Sequence, residues 1–234
     1  MWCLELGVSL VCGVWCLVFP TNLRQMHGTV PQKIARVVTD LVLHPQYIPR
    51  CVAHNVINGR TPLDLELPWF SYAAIDFLQK FLRPEMSVCE YGSGGSTLFF
   101  ARRAKSVISI EDNPKWHSHV SQRLRQQGIS NVQMVLCPFD FRNPAGFERS
   151  QYLEAIPDER FDVIVVDGSE EWEPVRPICF QKAEGRVKEG GIVVVDDSWR
   201  YPELRKSNRA SRVRIFQSVG PCRPGVTSTD VFFY

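Results

Sequence analysis

Five short apolar runs in this 234-residue chain each end in residues that could do chemistry. The run 87–91 passes into Gly92-Ser93-Gly94-Gly95-Ser96, with Glu90 two residues before the first glycine. The run 106–110 ends in Glu111 and Asp112, and the run 132–136 leads to Phe139 and Asp140. The run 161–166 ends in Asp167 and Gly168, and the run 192–195 in Asp196 and Asp197. Glycines in a tight turn let a ligand approach the backbone closely, and carboxylates at strand ends accept hydrogen bonds from hydroxyls or hold cations. Polar residues also cap buried strands for purely structural reasons. Two tight glycines beside Glu90, with an acid closing the neighbouring run, are more than that explanation supplies.

The loop discriminates between ligands. A dinucleotide fingerprint places a third glycine where this chain has Thr97. A carboxylate such as Glu90 beside a pyrophosphate would be repelled, whereas facing an ammonium group or hydroxyls it is useful. Glu111 falls 17 residues after Gly94, where an acid can accept two hydrogen bonds from ribose hydroxyls. An adenosine with a cationic tail and no phosphate fits these parts.

The elements that must position these residues follow from periodicity. Near-continuous apolar strands at 87–91, 106–110, 132–136, 161–166 and 192–195 alternate with helix-like stretches, which indicates a parallel sheet covered on both faces. The helices are expected at 95–104, from Pro114 to a stop at Gly128 with Asn113 as cap, and over a stretch marked by Val175, Ile178, Cys179, Ala183 and Val187. Right-handed crossovers make this a doubly wound α/β domain. "RVRIFQSV" and "TSTDVFFY" flank the turn-rich "GPCRPG" and predict a C-terminal antiparallel hairpin at one sheet edge. Upstream, Ile34, Val37, Val38, Leu41 and Val42 mark one helix, and "PWFSYAAIDFLQKFL" another that Pro84 stops. The expected organisation is an apolar segment 1–20, a helical lead-in 21–66 and the α/β domain 67–234.

Glu90-Tyr91-Gly92-Ser93-Gly94-Gly95-Ser96 resembles motif I of the class I S-adenosylmethionine-dependent methyltransferases, with Ser96 in place of the last glycine. "ISIEDN", "FDVIVVDGS" and "EGGIVVVDDS" extend the similarity over about residues 68–234. The resemblance implies a Rossmann-like, mostly parallel seven-stranded sheet in the order 3-2-1-4-5-7-6, with S-adenosyl-L-methionine as cofactor. It implies that Gly92, Ser93 and Gly94 wrap the methionine part and that Glu90 faces the loop or the cofactor's amine. Glu111, with Asp112 beside it, would take the ribose, and Asp140 the adenine amine, with Phe139 or Phe141 against the ring. Asp167 and Asp196 are the candidate catalytic acids, because an oxygen nucleophile needs its proton removed. Asp167, Asp196 and Asp197 are also similar to the acid, acid, amide set that holds a divalent cation in catechol-type O-methyltransferases, although Asp197 stands in the amide's place. The favoured reading of the three acids is polar strand ends without a metal.

Other features bear on partners. The formal charge of +2, from 27 bases against 25 acids, gives no global drive toward nucleic acid. The basic stretch 199–214 predicts a solvated helical face, with attraction of an anionic methyl acceptor or of lipid headgroups as the sharper alternative. Trp172 and Trp199 could shape an acceptor pocket, and His117 and His119, two apart on a helix, cannot share a metal and read as solvated surface. Cys89 and Cys137 in strand segments read as buried reduced thiols, which points to a cytoplasmic or cytosol-facing domain. The uncharged run 6–19 is short for a membrane span; extended through residue 23 it becomes marginal, so membrane association through 6–23 and a packed N-terminal helix stand as alternatives. Against the enzyme reading stand a non-catalytic membrane-tethered binding protein, an aminopropyltransferase and a nicotinamide dehydrogenase. The acidic loop start and missing third glycine disfavour the dehydrogenase, and no acidic motif after the fourth strand supports the aminopropyltransferase.

Overall fold

The computed structural model describes residues 29–55 and 60–234. The lead-in contributes helices α1 (Val30–Leu43), α2 (Ile48–Asn55) and the short α3 (Pro62–Leu65), followed by α4 (Tyr72–Phe81). The alternation then runs β1 (Ser87–Tyr91), α5 (Gly95–Ala101), β2 (Ser106–Glu111), α6 (Pro114–Gln126) and β3 (Val132–Leu136). After these come α7 (Gln151–Glu154), β4 (Phe161–Val166), α8 (Val175–Glu184), β5 (Val187–Val195), β6 (Arg212–Val219) and β7 (Val226–Phe233). The seven strands form one sheet in the order β3-β2-β1-β4-β5-β7-β6. The first five are parallel, and β7 pairs antiparallel with both β5 and β6.

Both faces of the sheet are covered, and the pleat shows how. Along β4, Val163 and Val165 belong to one buried cluster, with α4 and α5, while Ile164 and Val166 belong to the other, with Phe180 and Cys179 of α8. All four are fully buried, which is why the sequence shows a continuous apolar run rather than alternation. Cys89 in β1 and Cys137, one residue past the end of β3 rather than within a strand, are both buried and free. Helix starts are chemically marked. The Asn113 side chain accepts from the amides of Lys115 and Trp116 at 3.0 and 3.1 Å, and Pro114 opens α6.

Three expectations are corrected. The helix after β4 ends at Glu184, because Gly185 closes it, and Val187 is instead the first residue of β5, paired with Phe161. Helix α5 ends at Ala101 rather than at residue 104. The basic stretch is not a helical face: it forms two 3₁₀ turns, Ser198–Arg200 and Pro202–Arg205, and then enters β6. Pro202 and the ion pairs of Arg200 and Arg205 fix those turns.

The described part of the lead-in packs against the α/β body. Arg50 makes a two-pronged salt bridge to Asp76 of α4 at 2.7 and 2.8 Å. Asp40 of α1 accepts from the Val219 amide of β6 at 2.8 Å. A side chain at Gly95 would stand 2.2 Å from the Leu67 carbonyl and 2.3 Å from that of Pro62, so glycine there lets the lead-in lie directly on the start of α5.

Candidate functional site

Strand register brings the acids to one edge. Tyr91 pairs with Val166, and Val166 with Val195, so Gly92, Asp167 and Asp196 leave adjacent strands side by side. Gly92 has φ +94°, and a Cβ there would lie 2.5 Å from the Asp167 carbonyl oxygen. Glycine is therefore required twice over, by backbone conformation and by the contact of the loop with the end of β4.

Glu90 props this loop from beneath. It is almost wholly buried and accepts from Thr97 Oγ1 at 2.5 Å and Ser109 Oγ at 2.7 Å. Thr97 Oγ1 in turn accepts from the Gly94 amide at 3.0 Å. Burial pushes the Glu90 carboxyl up to about 7, against the lowering effect of its hydroxyl partners. The residue in the third-glycine position is thus the hydroxyl that ties the loop to the acid. Glu111 closes the neighbouring strand: its Oε2 accepts from Ser93 Oγ at 2.5 Å and its Oε1 from the Asn113 amide at 2.9 Å. Burial raises the Glu111 carboxyl, and burial with the Glu111 charge pushes Asp112 up to about 6.

Over the loop lies a cavity of about 1140 Å³, bordered by Ser93, Gly94, Trp116 and Asp167 on one side and by Trp69 and Trp199 on the other. Trp116, which periodicity places with Val120 and Leu124 on one stripe of α6, lies against the glycine loop. Its Nε1 donates to the Ser93 carbonyl at 2.8 Å, holding α6 against the loop. Beneath the cavity sits a cluster of four acids and three arginines. Arg176 is buried; it donates to the Gly168 carbonyl at 3.0 Å and the Asp196 carbonyl at 2.7 Å, and pairs with Asp167 at 3.0 Å and Glu170 at 3.2 Å. Arg223, from the hairpin turn, pairs with Asp197 at 2.9 Å and reaches Asp196 at 3.5 Å. Arg200 pairs with Glu170 at 2.9 Å.

The two candidate catalytic acids differ. Asp196 is 1% exposed, accepts from Thr229 Oγ1 at 2.6 Å, and burial raises its carboxyl far above the ordinary range. Both acids border the cavity, but Asp167 is the more open of the two; it is pushed up to about 7, chiefly by burial, with Arg176 opposing. Asp197, in a left-handed conformation at φ +47°, accepts from Thr227 Oγ1 at 2.6 Å; Arg223 and Arg176 overcome its burial and hold it well below the usual carboxylate range. The three acids do not fit a divalent cation, because guanidinium groups already stand against them, and no cluster of metal-binding side chains occurs among the described residues.

Asp140 is exposed, and Arg142 pairs with it at 2.9 Å, lowering its carboxyl. Phe141 is buried against Phe147 and Tyr152, whereas Phe139 stays half-buried. Trp172 packs edge-on to Phe147 rather than bordering the cavity. His119 is exposed, but His117 is half-buried with its Nε2 buried and without a hydrogen-bond partner. Arg176, Glu170 and Arg223 are the functional-site residues that sequence reasoning missed. The signal for Arg176 was a single base in the acidic "DGSEEWEPVRP"; Arg223 lay in a turn that read only as a connector.

An open sheet of this order, with a glycine loop at the first strand and an acid at the end of the second, defines a class I methyltransferase architecture. Residues 89–198 match the family described as a methyltransferase domain. The O-methyltransferase TomG from Streptomyces achromogenes, involved in tomaymycin synthesis and solved in complex with SAM, superposes with a TM-score of 0.56 at 16% identity, covering 86% of this chain and 98% of its own. An rRNA methylase from Streptococcus thermophilus superposes with a TM-score of 0.51 at 17% identity, covering 76% and 99%. No curated protein matches the chain. Residues 89–198 are thus similar to a methyltransferase domain, and the fold around them is the Rossmann-like fold of those structures. The non-catalytic, aminopropyltransferase and dehydrogenase readings gain no support.

Proposed function

We propose that this methyltransferase binds S-adenosyl-L-methionine on the Gly92–Gly94 loop and transfers its methyl group to a hydroxyl oxygen of an acceptor held in the cavity. The observation that carries the cofactor assignment is the Ser93–Glu111 contact. It sets the loop and the ribose-binding acid on one rigid edge, with open cavity beside Gly94. When bound, the sulfonium supplies an activated methyl group, so the protein's tasks are alignment, exclusion of water and removal of one proton. Gly92, Ser93 and Gly94 present backbone to the methionine part, and Glu90 keeps the loop in shape through Thr97. Asp167 takes the acceptor's hydroxyl proton; a carboxyl near neutrality at the cavity wall suits a general base. The bound cofactor would supply the methyl group to that oxygen and would be released as S-adenosylhomocysteine. Asp196 positions rather than reacts, tying β5 to Thr229 of β7.

Arg200 and Arg205 border the cavity from the basic stretch, and each is already paired, with Glu170 and with Asp230. That pairing favours an uncharged hydroxyl compound over an anionic acceptor. Calorimetric titration of the full chain with S-adenosylmethionine and S-adenosylhomocysteine tests the reading. Micromolar binding is expected, weakened at least tenfold by Glu111→Ala. Well-folded protein that binds neither compound would refute it.

A further inference from the structure

Two tryptophans border the cavity, and both are held by the cluster that holds Asp167. Trp69, between α3 and α4, is 49% exposed, whereas the largest side chain is mostly covered in folded proteins. Arg223 lies over its ring, 5.0 Å from the centroid, and is itself fixed by Asp197 at 2.9 Å and Asp196 at 3.5 Å. Trp199 donates from Nε1 to Asp197 Oδ1 at 3.3 Å. Arg200 lies 5.3 Å from the Trp199 ring centroid and pairs with Glu170 at 2.9 Å. Arg176 joins Glu170 to Asp167. The two indoles and the acid at the cavity wall are thus parts of one ion-paired framework, so their mutual positions are set before a ligand arrives.

This framework selects among hydroxyl compounds in two ways. Each indole already has a guanidinium against it, so a cationic ligand would meet like charge, whereas a neutral, electron-rich ring is drawn to the site. Ring-on-ring contact in an offset or edge-to-face geometry adds to plain area burial, a gain closed to a saturated skeleton of the same size. The acid makes the second selection. Burial pushes Asp167 up to about 7. A phenolic hydroxyl, at about 10, lies about 3 units above that, while an alkyl hydroxyl, close to water at about 16, lies about 9 units above. A base of this strength removes the phenolic proton far more readily.

We propose that Trp69 and Trp199 are acceptor-positioning residues, and that the acceptor is an uncharged aromatic compound whose phenolic hydroxyl they present to Asp167. This rests on the reading of the cavity as the methyl acceptor's site, and it narrows that acceptor from any hydroxyl compound to a phenol.

The test uses the full chain saturated with S-adenosylhomocysteine and two probes of one carbon skeleton, 2-naphthol and decahydro-2-naphthol. Calorimetry should show 2-naphthol bound at least about tenfold more tightly than its saturated counterpart. Trp69→Leu and Trp199→Leu should each weaken 2-naphthol by at least about tenfold, while Trp69→Phe and Trp199→Phe stay within about threefold of wild type. That split separates a lost ring contact from a general loss of packing. With S-adenosylmethionine present, mass spectrometry should find 2-methoxynaphthalene, and the leucine variants should raise KM for 2-naphthol more than they lower kcat. Equal affinity for the two probes, or 2-naphthol binding indifferent to the leucine variants, would overturn the proposal. So would protein that binds S-adenosylhomocysteine but not 2-naphthol. Protein that binds no S-adenosylhomocysteine would overturn the methyltransferase reading itself and this proposal with it, so the first titration tells the two failures apart.

Discussion

Replacing Glu90 by glutamine should stabilise the protein at alkaline pH and do so less at acidic pH. Glu90 is sealed beneath the loop, and burial raises its carboxyl from the ordinary 4.5 to about 7. The unfolded chain gives up this proton near pH 4.5, whereas the folded chain keeps it to about pH 7. Between those values the native state binds more protons, so this group's contribution to stability is fully present below the unfolded value and is lost as pH rises through the folded one. At about 1.4 kcal/mol per pH unit, the difference amounts to about 3 kcal/mol, of which about 2–3 kcal/mol falls between pH 5 and 8. Glutamine keeps an oxygen acceptor for Thr97 and Ser109 and does not titrate. Urea denaturation of both proteins at pH 5, 6, 7 and 8 reads the effect. Other titrating groups are common to the two chains and largely cancel in the difference. The stability of Glu90→Gln minus that of wild type should therefore grow by about 2–3 kcal/mol from pH 5 to pH 8. A difference constant to within about 0.5 kcal/mol over that range would refute the assignment of a buried, proton-holding carboxyl.

Gly92→Ala should destabilise by at least about 1–3 kcal/mol from backbone strain alone, with the contact to the Asp167 carbonyl adding to it, and should abolish cofactor binding in calorimetry. Arg176→Met leaves Asp167 and Glu170 without their shared cation and the Gly168 and Asp196 carbonyls without a donor; a loss of about 3–5 kcal/mol in urea denaturation is expected. Manganese titrated into the wild-type protein and followed by electron paramagnetic resonance should show no stoichiometric micromolar site, because Arg176 and Arg223 stand against the acids a cation would need. A single tight site would overturn the reading of this cluster as an arginine–carboxylate lattice.

Much of the fold was legible in the sequence because it depends on local signals. The continuous apolar runs of β1, β4 and β5 could only be strands buried on both faces, and Asn113-Pro114 and Gly128 bracketed α6 through backbone chemistry confined to a few residues. Glu90, Gly92 and Glu111 were readable for the same reason, since strand ends in a parallel sheet deliver their next residues to one edge. Where several groups compete for a residue, the sequence was silent. Asp196 and Asp167 look alike in "VVVDD" and "VIVVDG" and both border the cavity, yet the first is sealed against Thr229 and Arg223, while the second is more open, paired with Arg176, and has its carboxyl near neutrality. Arg176, Glu170 and Arg223 come from a helix, a loop and a hairpin turn, and only the register of β4, β5 and β7 brings them together. The basic stretch read as one surface because charge is summed along the chain; in space Arg200 and Arg205 turn inward to Glu170 and Asp230, while Arg212 lies over Phe233. The membrane-anchor expectation for residues 6–23 falls outside the described residues, and no helix among the described ones is long and apolar enough to cross a membrane. Apolar periodicity and turn chemistry act between neighbours in sequence and so fix elements and their order. Ion pairing and burial act between neighbours in space, and those were decided only when the sheet closed around them.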